Sequence, residues 1–386
     1  MVSFKKPNKP DFILLFTALS ILAIGLIMVL SASSVLAFNK EDNSYHYFFL
    51  QLRWASLGMI AAGAALVIPY RHLKKFAGAG VIVSIFLLIL VELTADPVKG
   101  SARWLELGFF SVQPSEIAKL TLIIFFAYVL AKYPVKTAKD LIIPGSFMLV
   151  VLFLVYKQPD LGTAIVIAAS CGAMLLLTEL PTLYFVTVIP PVSIIMYILI
   201  RTTEYQWERV IGWLHPWENA GKLGYQLVQA QIAFGSGGLF GIGIGRSVQK
   251  YGFLPENYTD TIFAMIGEEF GFFGTVFVVG LFMLLIARGY IISKECPDKF
   301  GRFLGFGLTT VLAIQTVVNL CVVTGLSPVT GITLPLISYG GSSLIITMLE
   351  IGILLNISCY RENKQAVRNI NPKGKFRPGD SFSSRG

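Results

Sequence analysis

A bundle of about ten transmembrane helices, with both chain ends on one face of the membrane, is the all-α polytopic architecture this sequence implies. Hydrophobic residues fill 55% of the 386 positions, the mean hydropathy is +0.71, and only 14% are charged, against about 25% in an ordinary soluble chain. Apolar runs of about 20 residues, long enough to cross a bilayer core, recur along nearly the whole chain. Lys and Arg gather in alternate connections, as they do when one face of the membrane is cytoplasmic.

The runs fall at roughly 12–38, 48–69, 76–94, 113–131, 141–157, 162–179, 182–201, 261–288, 303–325 and 343–360. The first ends in SASSVLAF, which resembles a signal-peptidase site. Its apolar core exceeds the 7–15 residues of a signal peptide, so it reads as a retained helix. The fifth and sixth are parted only by Gln158-Pro159-Asp160. An even number of spans puts both ends on one side. That side collects Lys5, Lys6, Lys9, Arg71, Lys74, Lys75, Lys132, Lys136, Lys139, Arg288, Lys294, Lys299, Arg302 and seven bases of the tail, 20 of the 31 basic residues, and is the cytoplasmic one. The net charge of +9 follows from this topology and from anionic lipid, and calls for no nucleic acid. Cys171, Cys321 and Cys359 lie in or at the end of spans and Cys296 in an inner connection, so no disulfide framework is expected.

The organisation is then a cytoplasmic N-terminus (1–11), a membrane domain (12–360) and a basic tail (361–386) whose composition reads as disordered. Three outer loops hold room for chemistry: 95–112, 202–260 between the seventh and eighth spans, and 326–342. In the largest, WERVIGWLHPW carries Trp207, Trp213 and Trp217. It reads as short amphipathic or re-entrant helices, or as an aromatic belt at the lipid surface. The stretch GSGGLFGIGIG matches no phosphate-loop or dinucleotide pattern; close helix packing and tight turns are its expected use. An outer-face enzyme without a nucleotide motif must receive a substrate already activated.

The stretch LPENYTDTIF sets Glu256 and Asp260 just before the eighth span. Asp260 has two readings: a helix cap, where negative charge suits the dipole, or a general base at the water–lipid boundary. Phe263, Ala264, Gly267, Glu268 and Gly271 follow on one helix face, small and acidic enough to line a cavity. Glu268, Glu269, Glu350 and Lys119 lie deep in spans, where charge needs a partner or water. With Glu116 one turn before Lys119, they are expected to form one buried polar cluster, structural or functional. His46, His72 and His215 have no metal-ligand spacing. No metal site is therefore assigned, although a carboxylate-bound divalent cation (Mg or Mn) at the outer site is compatible with the sequence.

Five blocks together resemble one family: GSARWLELGFFSVQPSEIAKL (100–120), QPDLGTA (158–164), GYQLVQAQIAFGSGGLFGIGIGRSVQK (224–250), LPENYTDTIFAMIGEEFG (254–271) and GITLPLISYGGSSL (331–344). They look like the SEDS proteins, the FtsW, RodA and SpoVE proteins of bacterial division, shape and sporulation. The resemblance spans all ten runs and implies ten helices with both ends inside. It implies an inverting peptidoglycan glycosyltransferase of the bacterial cytoplasmic membrane that polymerises lipid II on the outer face and releases undecaprenyl pyrophosphate. The implied partners are a class B penicillin-binding protein, a transpeptidase, and other division or elongation proteins. It puts the family's essential Asp on Asp260, and Trp104, Glu116 and Lys119 at the substrate cavity. Glu268 and Ser338 fall in its motif blocks and are expected at the substrate. Arg103, Lys119, Arg209 and Arg246 are the candidates to meet the leaving pyrophosphate, Lys119 first. The family usually reads H-T-D-F-I-F where this chain has Tyr258 for His and Thr261 for Phe. The segments GIGIGRSVQK and HPWENAGKLGYQ resemble the division and sporulation branch. A lipid II flippase and a scaffold that only recruits a penicillin-binding protein are the rival readings.

Overall fold

The computed structural model describes residues 8–94, 103–106 and 111–361. Lys5, Lys6, most of the 95–112 loop and the tail expected to be disordered lie outside the described residues. The described residues form twelve α-helices: α1 (Phe12–Glu41), α2 (His46–Val67), α3 (Leu73–Thr94), α4 (Pro114–Lys132), α5 (Ile142–Lys157), α6 (Leu161–Leu175), α7 (Thr182–Thr202), α8 (Glu204–Leu214), α9 (Tyr225–Gly237), α10 (Ile262–Glu295), α11 (Lys299–Val323) and α12 (Gly341–Cys359). A two-residue antiparallel pairing, β1 (Leu105–Glu106) with β2 (Ser111–Val112), precedes α4. The sequence reading had not anticipated it.

Nine of the described helices are long and apolar enough to cross a membrane. The tenth expected span, α6, is shorter than the sequence reading placed it, at 15 residues, about 22 Å of helix. Asp160 starts it by accepting a hydrogen bond from the Thr163 amide at 3.2 Å, and turns at Leu176–Thr178 end it. The short length suits an interior position, where Val166, Ile167, Cys171 and Met174 are almost wholly enclosed. The helices α4, α11, α12 and the first half of α10 form the centre, while α7 buries none of its residues within the chain.

Small residues bring the central helices together, as packing between apolar helices requires. A Cβ on Gly352 of α12 would stand 2.5 Å from the Ala62 carbonyl of α2. One on Gly25 of α1 would stand 2.5 Å from the Leu336 carbonyl. Leu336 belongs to the connection between α11 and α12, so this loop dips to the middle of α1 and carries Ile337 into the core.

The two described chain ends meet. The Asn8 amide donates to the Cys359 carbonyl at 2.7 Å, and Asp11 pairs with Arg288 and, at 3.0 Å, with Arg361. On the same face Asp298 lies 3.5 Å from Arg71 and 3.6 Å from Lys74. The described basic connections thus share one end of the bundle, and the described parts of the long loops share the other.

The long loop between α7 and α10 is built, not slack. It carries α8 and α9, then the glycine-rich segment, which docks into a break in α10. Gly271 adopts φ 67° there. The amides of Ile242 and Gly243 donate to the carbonyls of Glu268 and Glu269 at 3.0 and 3.1 Å, and the amides of Phe272 and Phe273 donate to Gly238 and Leu239. A Cβ on Gly241 would stand 2.2 Å from the Glu269 carbonyl. The glycines therefore serve close approach of backbone to backbone.

Candidate active site

Asp260 stands where two loops are stitched together. Within its own loop, the Glu256 carbonyl accepts from the amides of Thr259 and Thr261, at 3.1 and 3.2 Å. Ser338 links this loop to the one before α12: its hydroxyl donates to the Thr259 carbonyl at 2.7 Å and accepts from the Leu334 amide at 2.8 Å. The Tyr339 amide donates to the Tyr258 carbonyl at 2.9 Å. Gln51 of α2 holds the second loop from outside, donating to the Ser338 carbonyl at 3.1 Å. Asn319 of α11 closes the stitch, donating from one amide nitrogen to the carbonyls of Asp260 and Ile332, both at 2.8 Å. Tyr258, which replaces the family's usual His, packs its ring against Tyr47 at 5.1 Å and Tyr339 at 5.5 Å.

The fixed backbone leaves the Asp260 carboxylate unclaimed. It accepts no hydrogen bond from the described residues, and no side chain caps the first turn of α10. The helix-cap reading of Asp260 is therefore set aside. Gly331 keeps the space beside it open: a Cβ there, on a backbone already at φ 74°, would stand 3.4 Å from Oδ2. Burial, and the negative charge of Glu256, push the Asp260 carboxyl up from 3.8 to about 6 against the pull of Arg209 and Arg103. Asp160 is the further charge acting on it.

The two arginines arrive from distant segments. The guanidinium of Arg103 donates to the Gln158 carbonyl at 2.9 Å and to the Pro159 carbonyl. That of Arg209, on α8, donates to the Val329 carbonyl at 2.9 Å and to the Tyr205 hydroxyl. Carbonyls position these cations without neutralising them, so both keep their charge for an anion. Asp160 is held by Thr163, by Gln113 at 3.3 Å and by Ser115 at 3.5 Å. The site therefore combines an unbonded carboxylate, a cationic rim and two further acids.

The other expected site residues are placed differently. Trp104 follows Arg103 and is 38% exposed. Lys119 is fully enclosed in α4, with its ammonium 2.7 Å from Glu116, so its charge is already met. Arg246 is exposed beside Gly243 in the segment docked on the α10 break. Ser338 serves as the loop clasp. The face Phe263–Gly271 does not line a cavity: these residues are buried, and a Cβ on Gly267 would stand 2.3 Å from the Phe234 ring of α9. Glu268 instead holds the glycine-rich segment, accepting from Ser247, from the Val248 amide at 3.1 Å and from Ser236 at 3.5 Å. Glu269 accepts from Ser31 of α1 at 2.5 Å. The expected single polar cluster is thus two, because Glu268 and Glu269 face α9 and α1 while Glu350 of α12 feels the charges of Lys119 and Glu116 of α4 without a hydrogen bond to either. Sequence reasoning missed Asn319, Asp160, Gln113 and Ser115. Asp160, Gln113 and Ser115 lay inside quoted motifs, but nothing local marks Asn319.

The family model for FtsW, RodA and SpoVE, described as cell cycle protein, matches residues 12–363. A probable peptidoglycan glycosyltransferase FtsW of Geobacter metallireducens is 37% identical over 362 residues, 92% of this chain and 96% of the relative. Stage V sporulation protein E of Bacillus subtilis is 38% identical over 361 residues, 92% and 98% of the two chains. Among solved structures, a chain from a peptidoglycan synthase complex, described for its coordination of polymerization and crosslinking, superposes with a TM-score of 0.79 at 30% identity, covering 92% of this chain and 99% of that one. The rod shape determining protein RodA of Thermus thermophilus superposes with a TM-score of 0.66 at 29% identity, covering 92% and 98%.

Proposed function

The chain belongs to the FtsW, RodA and SpoVE family of peptidoglycan-synthesis membrane proteins, and from that membership and its site we propose that it polymerises lipid II into glycan strands at the outer face of the bacterial cytoplasmic membrane. The observation that carries this reading is the carboxylate of Asp260, which accepts no hydrogen bond from the described residues and feels the charges of Arg209 and Arg103 at the loop end of the bundle. The opposite end holds the excess of Lys and Arg, so the positive-inside rule turns the site outward.

In the proposed reaction the 4-hydroxyl of the acceptor GlcNAc attacks C1 of the donor MurNAc. The C1–O bond to pyrophosphate breaks, the anomeric centre inverts, and undecaprenyl pyrophosphate leaves with the bonding electron pair. Asp260 takes the hydroxyl proton. A carboxyl that titrates at about 6 is ionised at neutral pH yet basic enough to accept that proton, which is the compromise general-base catalysis favours. Arg103 and Arg209 meet the charge that develops on the pyrophosphate. They replace Lys119 in that role, since Lys119 is enclosed and paired with Glu116. Both prenyl tails stay in the bilayer while the sugars sit between the loops.

The relatives' names and the synthase complex support a class B penicillin-binding protein as partner, and the relatives favour a division or sporulation role. The test is strand formation from purified lipid II by this protein with its cognate transpeptidase, with Mg, with Mn and with chelator. Polymer formation supports the reading, and its loss in chelator assigns a divalent cation to the pyrophosphate. An intact complex that makes no polymer under any of these conditions overturns the reading in favour of flipping or scaffolding.

A further inference from the structure

Far from Asp260, a groove of about 220 Å³ opens between α1 and α2, in the half of the bundle nearer its basic end. Leu19 of α1 and Met59 of α2 stand at its mouth, 39% and 47% exposed, while Ala18, Leu336 and Met348 form a floor almost closed to solvent. Its top is shut where α1 packs through Gly25 onto Leu336 and Ile337. Its lower end lies at Leu15, Leu66 and Leu355, each within about a turn of the basic end of its helix. The groove is held open from behind. A Cβ on Gly58 would stand 2.6 Å from the Met348 sulfur, so α2 is seated on α12 and does not swing across to α1. At Gly63 of the same helix a Cβ would meet nothing within 4 Å, so the missing side chain leaves space. Leu336, on the floor, holds φ 65°, a left-handed backbone that a branched residue adopts only where its surroundings impose it.

We propose that the groove holds one acyl chain of an anionic phospholipid from the leaflet on the basic side, and that this chain props the loop that carries Ser338. The lining is aliphatic and the mouth opens sideways between two spans, so the occupant enters from the bilayer. A helix, about 10–12 Å thick with its side chains, does not enter so slender a space, whereas a single chain does. Charge selects the headgroup. Lys9, three residues before α1, is exposed and makes no ion pair with the described residues. The nearby acid, Asp11, is already paired with Arg288 and Arg361 and leaves Lys9 to a lipid phosphate. The chain has a structural task. The Leu336 side chain faces the groove and gains dispersion contacts on that side only when the groove is filled. Leu336 lies two residues before Ser338, whose hydroxyl joins this loop to the one bearing Asp260.

The test places the full-length protein in lipid nanodiscs with phosphatidylglycerol that bears a photoreactive diazirine at mid-chain, and maps the labelled peptides by mass spectrometry. Label is expected to concentrate on residues 15–22 and 59–66. Gly63→Leu puts a side chain into the groove and should abolish that label. Gly78→Leu, at an open position on α3, should leave it intact, and both variants are checked for folding by their melting profiles. Lys9→Ala should lower labelling by phosphatidylglycerol about fivefold, the worth of one basic residue at an anionic surface, and leave labelling by a phosphatidylcholine probe unchanged. Adding phosphatidylglycerol to delipidated protein should raise the melting temperature of wild type and not that of Gly63→Leu. Label spread evenly over the lipid-facing helices, label that survives Gly63→Leu, or a wild-type melting temperature indifferent to phosphatidylglycerol overturns the proposal. Label displaced by a prenyl phosphate but not by unlabelled phosphatidylglycerol also overturns it and gives the groove to a prenyl chain. Neither labelling nor melting needs a working polymerase, so the lipid site and the polymerase reading stand or fall separately.

Discussion

Replacing Asp260 with Asn separates a catalytic carboxylate from a structural one, because the two predict opposite signs in stability. The site raises the Asp260 carboxyl from 3.8 to about 6; at 1.36 kcal/mol per pH unit that is about 3 kcal/mol by which the fold disfavours its charged form. The carboxylate is partly exposed, so solvent screening lowers this to ~1–2 kcal/mol. Asn removes the charge in nearly the same volume. Above pH 6 the variant is therefore expected to be as stable as wild type, or more so by ~1 kcal/mol. A carboxylate that serves the dipole of α10 would instead cost ~0.3–1 kcal/mol when neutralised, even though Asn keeps the hydrogen-bonding capacity of a cap. The native protein binds the proton more tightly than the unfolded chain does, so the wild-type penalty is present above pH 6 and fades as pH falls through 6 toward 3.8. Activity has the reverse sign: the base is the ionised form, so wild-type polymerisation rises with pH through about 6 and then levels. Loss of a positioned base typically costs ~10²–10⁴ in rate. The assay is the initial rate of strand formation from lipid II between pH 5 and 8, run beside thermal unfolding in the same detergent. A variant that melts lower than wild type at pH 7.5, or that polymerises at the wild-type rate, refutes the reasoning.

Three further outcomes are expected. Asn319→Ala removes the amide that joins the Asp260 and Ile332 carbonyls and leaves both short of a donor, which costs ~2–4 kcal/mol; strand assays should show a lower kcat with KM nearly unchanged, and unaltered kcat argues against the stitch as the element that aims Asp260. Gly25→Ala, far from the loops in sequence, drives a methyl to 2.5 Å from the Leu336 carbonyl; overpacking of ~1–3 kcal/mol should lower the melting temperature and the rate together, whereas an unaffected rate would uncouple the dipping loop from the site. At the opposite end, burial pushes Asp298 up, but hydrogen bonds from Tyr70 and the Gly301 amide and the charges of Lys74 and Arg71 outweigh it and hold it below 3.8; the stability it gives is present above its unfolded value and lost as pH falls through the native one, so Asp298→Asn should flatten the acid side of the melting profile below about pH 4, and an unchanged acid slope would refute this.

Much was legible in the sequence because hydropathy and charge are local properties. A run such as 12–38 declares a span without reference to any other residue, and Lys74, Arg288 and Arg361 report a shared face because charge resists crossing lipid. The glycine-rich stretch could be denied to nucleotides and given to close packing from its spacing alone. The convergence of side chains was not legible. Arg103 and Arg209 reach Asp260 from segments 157 and 51 positions away, and only the path of the 158–160 turn and of α8 brings them there. The sequence grouped Glu268 with Asp260 by helical spacing, yet a helix face can be lined by protein as readily as by water, and here α9 and the glycine segment fill it. Lys119 showed a costly buried charge without showing that Glu116 already answers it. Composition and pattern determined that this chain crosses the membrane and which face is basic, since each residue's transfer into lipid is its own affair. The tertiary structure alone decided which polar groups meet and that the Asp260 carboxylate finds no donor among the described residues, since that depends on contacts between residues that nothing along the chain connects.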